Sequence, residues 1–257
     1  MVKNQKDCSK KDRSKSCLLA IETSSDVLSV AIKSADSYFV KHIQADKQHN
    51  QLLLPTIEAG LSELSLSLSA VDAFVYGQGP GSFTGLRISL SVIQGLAFAV
   101  AKPVIPVSSL AALAYQVGDE YTGINILSVI DARMDEFYWG LYQKIVSPNG
   151  SSVVQNIAND QLAKLEANSI NEVLKPIPSA YIAVGSGWPL LENRLDSFSP
   201  PVSVNPALRP HARALLDIAE QKLMLGEVVP VHLADVNYLR DKTPWKKLAE
   251  QGKPLGI

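Results

Sequence analysis

Cysteine is nearly missing from this chain. Cys8 and Cys17 are the two present in 257 residues, nine apart near the start. Such a pair builds no disulfide framework and no CxxC, and it fits a reducing compartment. Histidine is scarce as well. His42, His49, His211 and His232 include no pair at a spacing of three, four or five. With neither CxxC nor HExxH, no dedicated zinc or iron site is proposed. An excess of one charge is also lacking: 24 basic against 25 acidic residues leave a formal net charge of −1. That excludes a molecule-wide electrostatic clamp for nucleic acid, so RNA contact must be local or supplied by a partner. Long apolar runs are missing too. The longest near-apolar run, Ile88 to Ala101, is 14 residues and contains Ser89, Ser91 and Gln94. It reads as a buried helix, not a membrane span. At the start, Glu22 interrupts the apolar residues that a signal peptide needs.

What is present is a hydrophobic content of 46%, enough for one large domain or two lobes. Residues 1–16 are polar and mostly basic, and a disordered leader is expected there. Cys17 to Ile21, a short polar turn and Val27 to Ile32 read as a strand, a turn and a strand, with Tyr38 to Ile43 as a third strand. From His49 to Leu66, Leu52, Leu53, Ile57, Leu61 and Leu64 recur at helical spacing, with Pro55 placed near the first turn. Val71 to Tyr76 is a strand, Thr84 to Val100 a helix, Pro103 to Val107 a strand and Ser108 to Val117 a capped helix.

The second half opens as the first does. Asn125 to Ala132 and Glu136 to Tyr142 flank a short turn. An offset of 109 lays Glu22 on Asp131 and Asp26 on Asp135. This favours two similar α/β lobes built on a duplicated unit. Residues 17–107 form the expected first lobe and 108–235 the second, with residues 236–257 as a terminal strap. Leu162 to Leu174 reads as helical, and Tyr181 to Val184 as a strand that ends in the turn GSGW. Helix 210–225 carries Pro210 in its first turn and Gly226 as its C-cap, and is a candidate to pack back on the first lobe.

The densest signal is YGQGPGSFTGLR, Tyr76 to Arg87. A strand, a glycine turn and a helix start either offer N–H groups to an anion or let backbones pack closely. Leu86 and Arg87 follow Gly85 where a Walker loop needs Lys and then Ser or Thr. The spacing GQGPGS also breaks GxGxxG. The stronger reading is architectural, with Ser82 or Thr84 capping a helix whose Ser91, Gly95 and Ala99 share a small-residue face. Candidates for a vestigial nucleotide or anion site are Glu22, Ser82, Thr84, Asp131, Gly185 and Gly187. Glu22 and Asp131 are the carboxylates placed to face each other across a cleft, where they would orient magnesium or a hydroxyl. His49, at a helix start, reads as a cap or surface group. Ser82 and Ser186 lack a nucleophile elbow. Trp245, Lys246 and Lys247 are too few for an RNA stripe.

AIETSSDVLSVAI, YGQGPGSFTGLRISLSVIQGLAFA, VSSLAALA, VIDARMDEFYWGLY, VGSGW and NYLRDKTPWKK together resemble the bacterial TsaB, or YeaZ-like, family over about Leu18 to Lys247. The resemblance implies a two-lobed actin-like or sugar-kinase-like α/β fold with duplicated mixed sheets. It implies a cytoplasmic protein needed for N6-threonylcarbamoyladenosine at adenosine 37 of tRNAs that read codons beginning with adenine. It implies a non-catalytic role, with no catalytic or metal-binding residue and no tightly bound cofactor. ATP and metal ions would belong to partner proteins. Those are a TsaD-type transferase, which holds the metal, a TsaE-type ATPase in the larger complex, and TsaC-like enzymes that supply the threonylcarbamoyl-adenylate. The chain alone is expected to form a homodimer and to meet tRNA only through the complex. By the same resemblance the partner interface uses two helix faces, with His49, Leu52, Leu53, Ile57, Leu61, Arg87, Ser91 and Gly95. The alternative, resting on Glu22, Asp131 and the glycine turns, is a stand-alone ATP-binding kinase-like enzyme.

Overall fold

The computed structural model of the chain describes residues 16–147, 150–175, 177, 180–194 and 199–240. Trp245, Lys246, Lys247 and all but Ser16 of the leader lie outside these residues. Ser16 itself is buried, an exception to the expected disorder.

Two five-stranded sheets follow one plan. The first holds β1 (Leu18–Glu22), β2 (Val27–Ser34), β3 (Ser37–Gln44), β4 (Ala73–Gly79) and β5 (Val104–Ser108), in the order β3-β2-β1-β4-β5. β1 to β3 form an antiparallel meander, and β4 and β5 extend it in parallel. The second sheet holds β6 (Asn125–Arg133), β7 (Glu136–Val146), β8 (Ser152–Lys164), β9 (Tyr181–Val184) and β10 (Ser203–Asn205). Its order, β8-β7-β6-β9-β10, repeats both the positions and the strand directions. The duplicated two-lobed α/β architecture expected from the sequence is therefore the one observed.

β1 is buried along its whole length because both faces of its sheet are covered. Leu19 and Ile21 face α1 (His49–Glu63) and α2 (Phe83–Ala99). Each such side chain contributes about 1.5–3 kcal/mol by leaving water. Leu18, Ala20, Ala31 and Ala73 face α6 (Ala212–Leu225), which meets them with Ala212, Leu215, Leu216 and Ala219. Small residues on both sides let helix and sheet approach closely. α3 (Ser109–Tyr115) leaves the first sheet and packs on β6, β7 and β8. α6 closes the second half yet packs on β1, β2, β4 and β5. The halves are thus tied by crossed helices. α4 (Ala167–Leu174) and α5 (Trp188–Leu191) cover the outer face of the second sheet through Ile170, Val173, Trp188 and Leu191.

The structure corrects several expected elements. Leu162 to Lys164 belong to β8, and the helix begins at Ala167. Pairing with the aromatic strand β7 (Phe137↔Ala163, Tyr138↔Leu162) outweighs helical propensity there. Pro55 is interior to α1, not in its first turn. Pro210 precedes the helix it was expected to open. The N-cap is His211, whose Nδ1 accepts from Arg213 N–H at 3.0 Å. Gly226 does take the left-handed C-cap conformation, with φ 77°.

Candidate functional site

Glu22 ends β1 and is fully buried. Its Oε1 accepts from Ser24 N–H at 2.6 Å, and its Oε2 accepts from Ser109 Oγ at 3.0 Å. Gly77 lies beneath it, and a Cβ at that position would overlap the carboxylate. Burial pushes the Glu22 carboxyl up, opposed in part by hydrogen bonds from Ser24, Ser109 and Thr23. Glu22 therefore joins β1, β4 and the start of α3, and does not line an open cleft.

The glycine turn is locked to the same corner. Thr23 Oγ1 donates to Gly85 O at 2.8 Å, and Ser82 N–H donates to Ser24 O at 2.7 Å. A Cβ at Gly81 would meet Ser24 O, and one at Gly85 would overlap Thr23 O. The glycines exist because two backbones touch there. Ser82, not Thr84, is the N-cap, and its Oγ accepts from Gly85 N–H at 3.3 Å. Two of the N–H groups that an anion cradle would need are therefore committed to the protein. Thr84 is an exposed residue of the first helical turn.

The second half repeats this device. A Cβ at Gly185, where φ is +99°, would overlap Val129 O, and one at Gly187 would press on Val129 and Asp131 N. Asp131 accepts from Arg133 N–H at 2.7 Å and pairs with the Arg133 guanidinium at 3.0 Å. Among the described residues no hydrogen bond or ion pair joins Glu22 to Asp131, and no group of three His, Cys, Asp or Glu is placed to hold a metal ion.

The open feature lies on α1 and α2. An apolar groove of about 500 Å³ runs between them, lined by Leu54, Phe83, Arg87, Ile88, Ser91 and Val92 among others. Leu54 is 47% exposed, Phe83 54% and, further along α2, Phe98 78%. The expected face needs correction here. Ile57 points into the core, Leu53 is buried but also lines the groove, and Leu52 and Leu61 pack half-buried against the core. His49 is neither cap nor surface group. It is buried, and its Nε2–H donates to Val27 O at 3.3 Å. Arg87, Ser91 and Gly95 do lie on the open side. Leu54 was legible, because three consecutive leucines turn through about 200° and one helix face cannot bury them all. Phe83 sits at the first position of α2, outside the periodic stretch.

Arg87 is held in place. Its Nε donates to Tyr238 Oη at 2.8 Å, and its guanidinium lies 4.0 Å from the Phe83 ring centroid and 5.8 Å from that of Tyr238. Tyr238 comes from the segment after α6, so nothing local to Arg87 announced it.

The Escherichia coli protein named tRNA threonylcarbamoyladenosine biosynthesis protein TsaB is 32% identical over 231 residues, covering 90% of this chain and 97% of its own. This chain belongs to the TsaB family. The Haemophilus influenzae TsaB is 31% identical, over 90% of this chain and 96% of that protein. A solved structure of YeaZ from Pseudomonas aeruginosa superposes with a TM-score of 0.76 at 36% identity, covering 87% of this chain and all of that one. A family model described as TsaD, tRNA N6-adenosine threonylcarbamoyltransferase, matches residues 40–193. The chain is thus related to the transferase type as well as to the TsaB family.

Proposed function

We propose that this TsaB-family chain serves tRNA threonylcarbamoyladenosine biosynthesis as a non-catalytic docking subunit. It binds and stabilises a TsaD-type transferase, which modifies adenosine 37 of tRNAs reading codons that begin with adenine. The observation that carries this reading is a division within the molecule. Glu22 and the glycine turns are consumed by internal contacts, while α1 and α2 leave an apolar groove uncovered. An exposed patch of this kind marks an interaction surface. The docking face is Leu54, Phe83, Arg87, Ile88, Ser91, Gly95 and Phe98, with buried Leu53 also lining the groove.

On this reading ATP and metal ions stay with the transferase and a TsaE-type ATPase. The chain alone pairs with itself through the same face, and tRNA is met through the complex. The setting is the cytoplasm, and no described helix is long and apolar enough to cross a membrane. A stand-alone ATP-binding enzyme is the less favoured reading, because its best carboxylate is enclosed.

Affinity between the purified chain and its TsaD-type partner, measured by calorimetry, tests the docking face. Leu54→Asp is expected to cost about 2 kcal/mol or more, the loss of a central apolar anchor. Gly95→Leu, where a Cβ meets nothing within 4 Å, is expected to weaken pairing while leaving the fold intact. A charge at exposed Asn168 on α4, Asn168→Lys, is the control and leaves affinity unchanged. Wild-type affinity in Leu54→Asp refutes this face.

A further inference from the structure

Residues 234–240 run from one half of the molecule to the other. Gln94 Nε2 donates to Ala234 O at 3.2 Å, Tyr76 Oη to Asp235 O at 2.9 Å, and Asn237 N–H to Gln78 O at 2.8 Å. These bonds fix the strap along α2 and the end of β4. Tyr238 then meets Arg87 and Phe83, the tilted rings lying 5.3 Å apart. Two residues later the strap reaches the second half. Arg240 Nε donates to Glu136 Oε2 at 2.9 Å, and Arg240 Nη2 donates to Ala132 O at 2.9 Å and to Glu136 Oε2 at 2.5 Å. The turn it grips is conformationally costly. Arg133, Met134 and Asp135 take φ values of 64°, 58° and 57°, three non-glycine residues in succession in the left-handed region. A grip on the carbonyls and the flanking carboxylate of such a turn holds one arrangement of it.

We propose that this strap is a latch through which the β6–β7 turn of the second half sets the shape of the docking groove on the first. Tyr238 is the positioning residue. It holds Arg87 stacked on Phe83, so that two groove-lining side chains are ordered before a partner arrives. Arg240 is the anchor that keeps Tyr238 in reach. A long side chain ordered in advance spares the complex the cost of ordering it on association. The latch rests on the docking role proposed above for the TsaD-type partner, but the shape of the groove is measurable without that partner.

The test uses the full chain in three forms besides wild type: Tyr238→Phe, Arg240→Ala and Arg87→Ala. Without partner, amide exchange at residues 83–88 is expected to quicken in Arg240→Ala, although Arg240 touches neither α1 nor α2. Unchanged exchange in both Arg240→Ala and Tyr238→Phe overturns the latch. With the purified transferase, each strap variant is expected to weaken binding about two- to tenfold, the range for losing one pre-ordered side chain. Arg240→Ala and Arg87→Ala should combine to less than the product of their separate effects, since they act through one contact. Multiplicative effects overturn the coupling. Should Arg240→Ala fail to fold, Tyr238→Phe decides alone, since it removes one hydroxyl and keeps the ring. Failure of the docking role itself looks different: Leu54→Asp then binds normally while the exchange result stands.

Discussion

The two halves of this protein share a strand plan and differ in what covers it. Each has a meander of three strands, two parallel strands beyond it, and a glycine turn that lets backbone meet backbone. The outer face of the first sheet carries helices of 15 and 17 residues and a terminal strap. The same face of the second sheet carries helices of 8 and 4 residues. The hairpin and the glycine turn are the conserved hardware of the duplication, and the helices are where the copies diverge. Longer helices in the first half bury one stripe and still leave a second apolar stripe open. The α4 and α5 of the second half spend their apolar side chains on the sheet.

The equivalence of the glycine turns is the claim most open to a large effect. Gly85→Ala sets a Cβ against Thr23 O, and Gly185→Ala sets one against Val129 O at a φ of +99°. Both neighbours are backbone and cannot swing aside. Each substitution is expected to cost about 3 kcal/mol or more, within the range of severe overpacking and backbone strain. For a chain of this length that is a fall in Tm of roughly 6–12 °C. Thermal unfolding of the two variants side by side is the measurement. If one is tolerated and the other is not, the halves share a topology without sharing the physics of the turn.

A second contrast lies in how the crossed helices are capped, and it gives a smaller effect. Ser108 caps α3, its Oγ accepting from Leu110 and Ala111 N–H at 3.1 and 3.2 Å. His211 caps α6 through Nδ1 and stacks on His42, ring centroids 4.3 Å apart. Burial, with His42 and Arg213 nearby, holds the His211 imidazole down at about 4. Burial also lowers His42, against the pull of Asp26. A histidine depressed in the folded state is protonated first in the unfolded chain. Stability is therefore full above about pH 6.5 and declines as pH falls from there toward 4. His211→Asn keeps a good N-cap and does not titrate in this range. Unfolding midpoints between pH 7 and 4.5 should show wild type losing about 1 kcal/mol more than His211→Asn, a figure reduced for the partial exposure of the ring. Parallel curves would show that the cap tolerates protonation.

These contrasts also mark what the sequence disclosed. The duplication was legible because Glu22 and Asp131 end comparable apolar strands, and because glycines follow β4 and β9 as they must where backbones touch. β8 was misread around Leu162 because its alternation is interrupted by register shifts against β7, and an edge strand is specified mainly by its neighbour. Ile57 lies in the core and not on the open face, because apolar periodicity identifies a buried stripe, whereas a docking face is what remains after that stripe is satisfied. Tyr238 and Arg240 lie 151 and 104 positions from their partners Arg87 and Glu136. A terminal strap is expected over residues 236–257, but no local pattern names contacts so far along the chain.

The smallest effect concerns the paired carboxylates themselves. Asp131 keeps its ion pair with Arg133, whose guanidinium is mostly exposed, and such a pair is worth about 0–1 kcal/mol. Glu22 is enclosed, and its carboxyl is raised above the ordinary value because burial disfavours the charged form. For an acid raised in the folded state, the protonated form is the one the fold prefers. Its contribution is present below the unfolded value near 4.5 and is lost as pH climbs through the folded value. A neutral isostere should therefore cost little at neutral pH. Glu22→Gln retains an oxygen to accept from Ser24 N–H and places an amide beside Ser109 Oγ, so its stability at pH 7 is expected to stay within about 0.5 kcal/mol of wild type. Asp131→Asn should fall in the same range for the opposite reason, since solvent already screens its partner. Chemical denaturation at pH 7 compares them. A large loss in Glu22→Gln alone would mean that Glu22 is held ionised at this corner, and the two turns would then differ in charge as well as in burial.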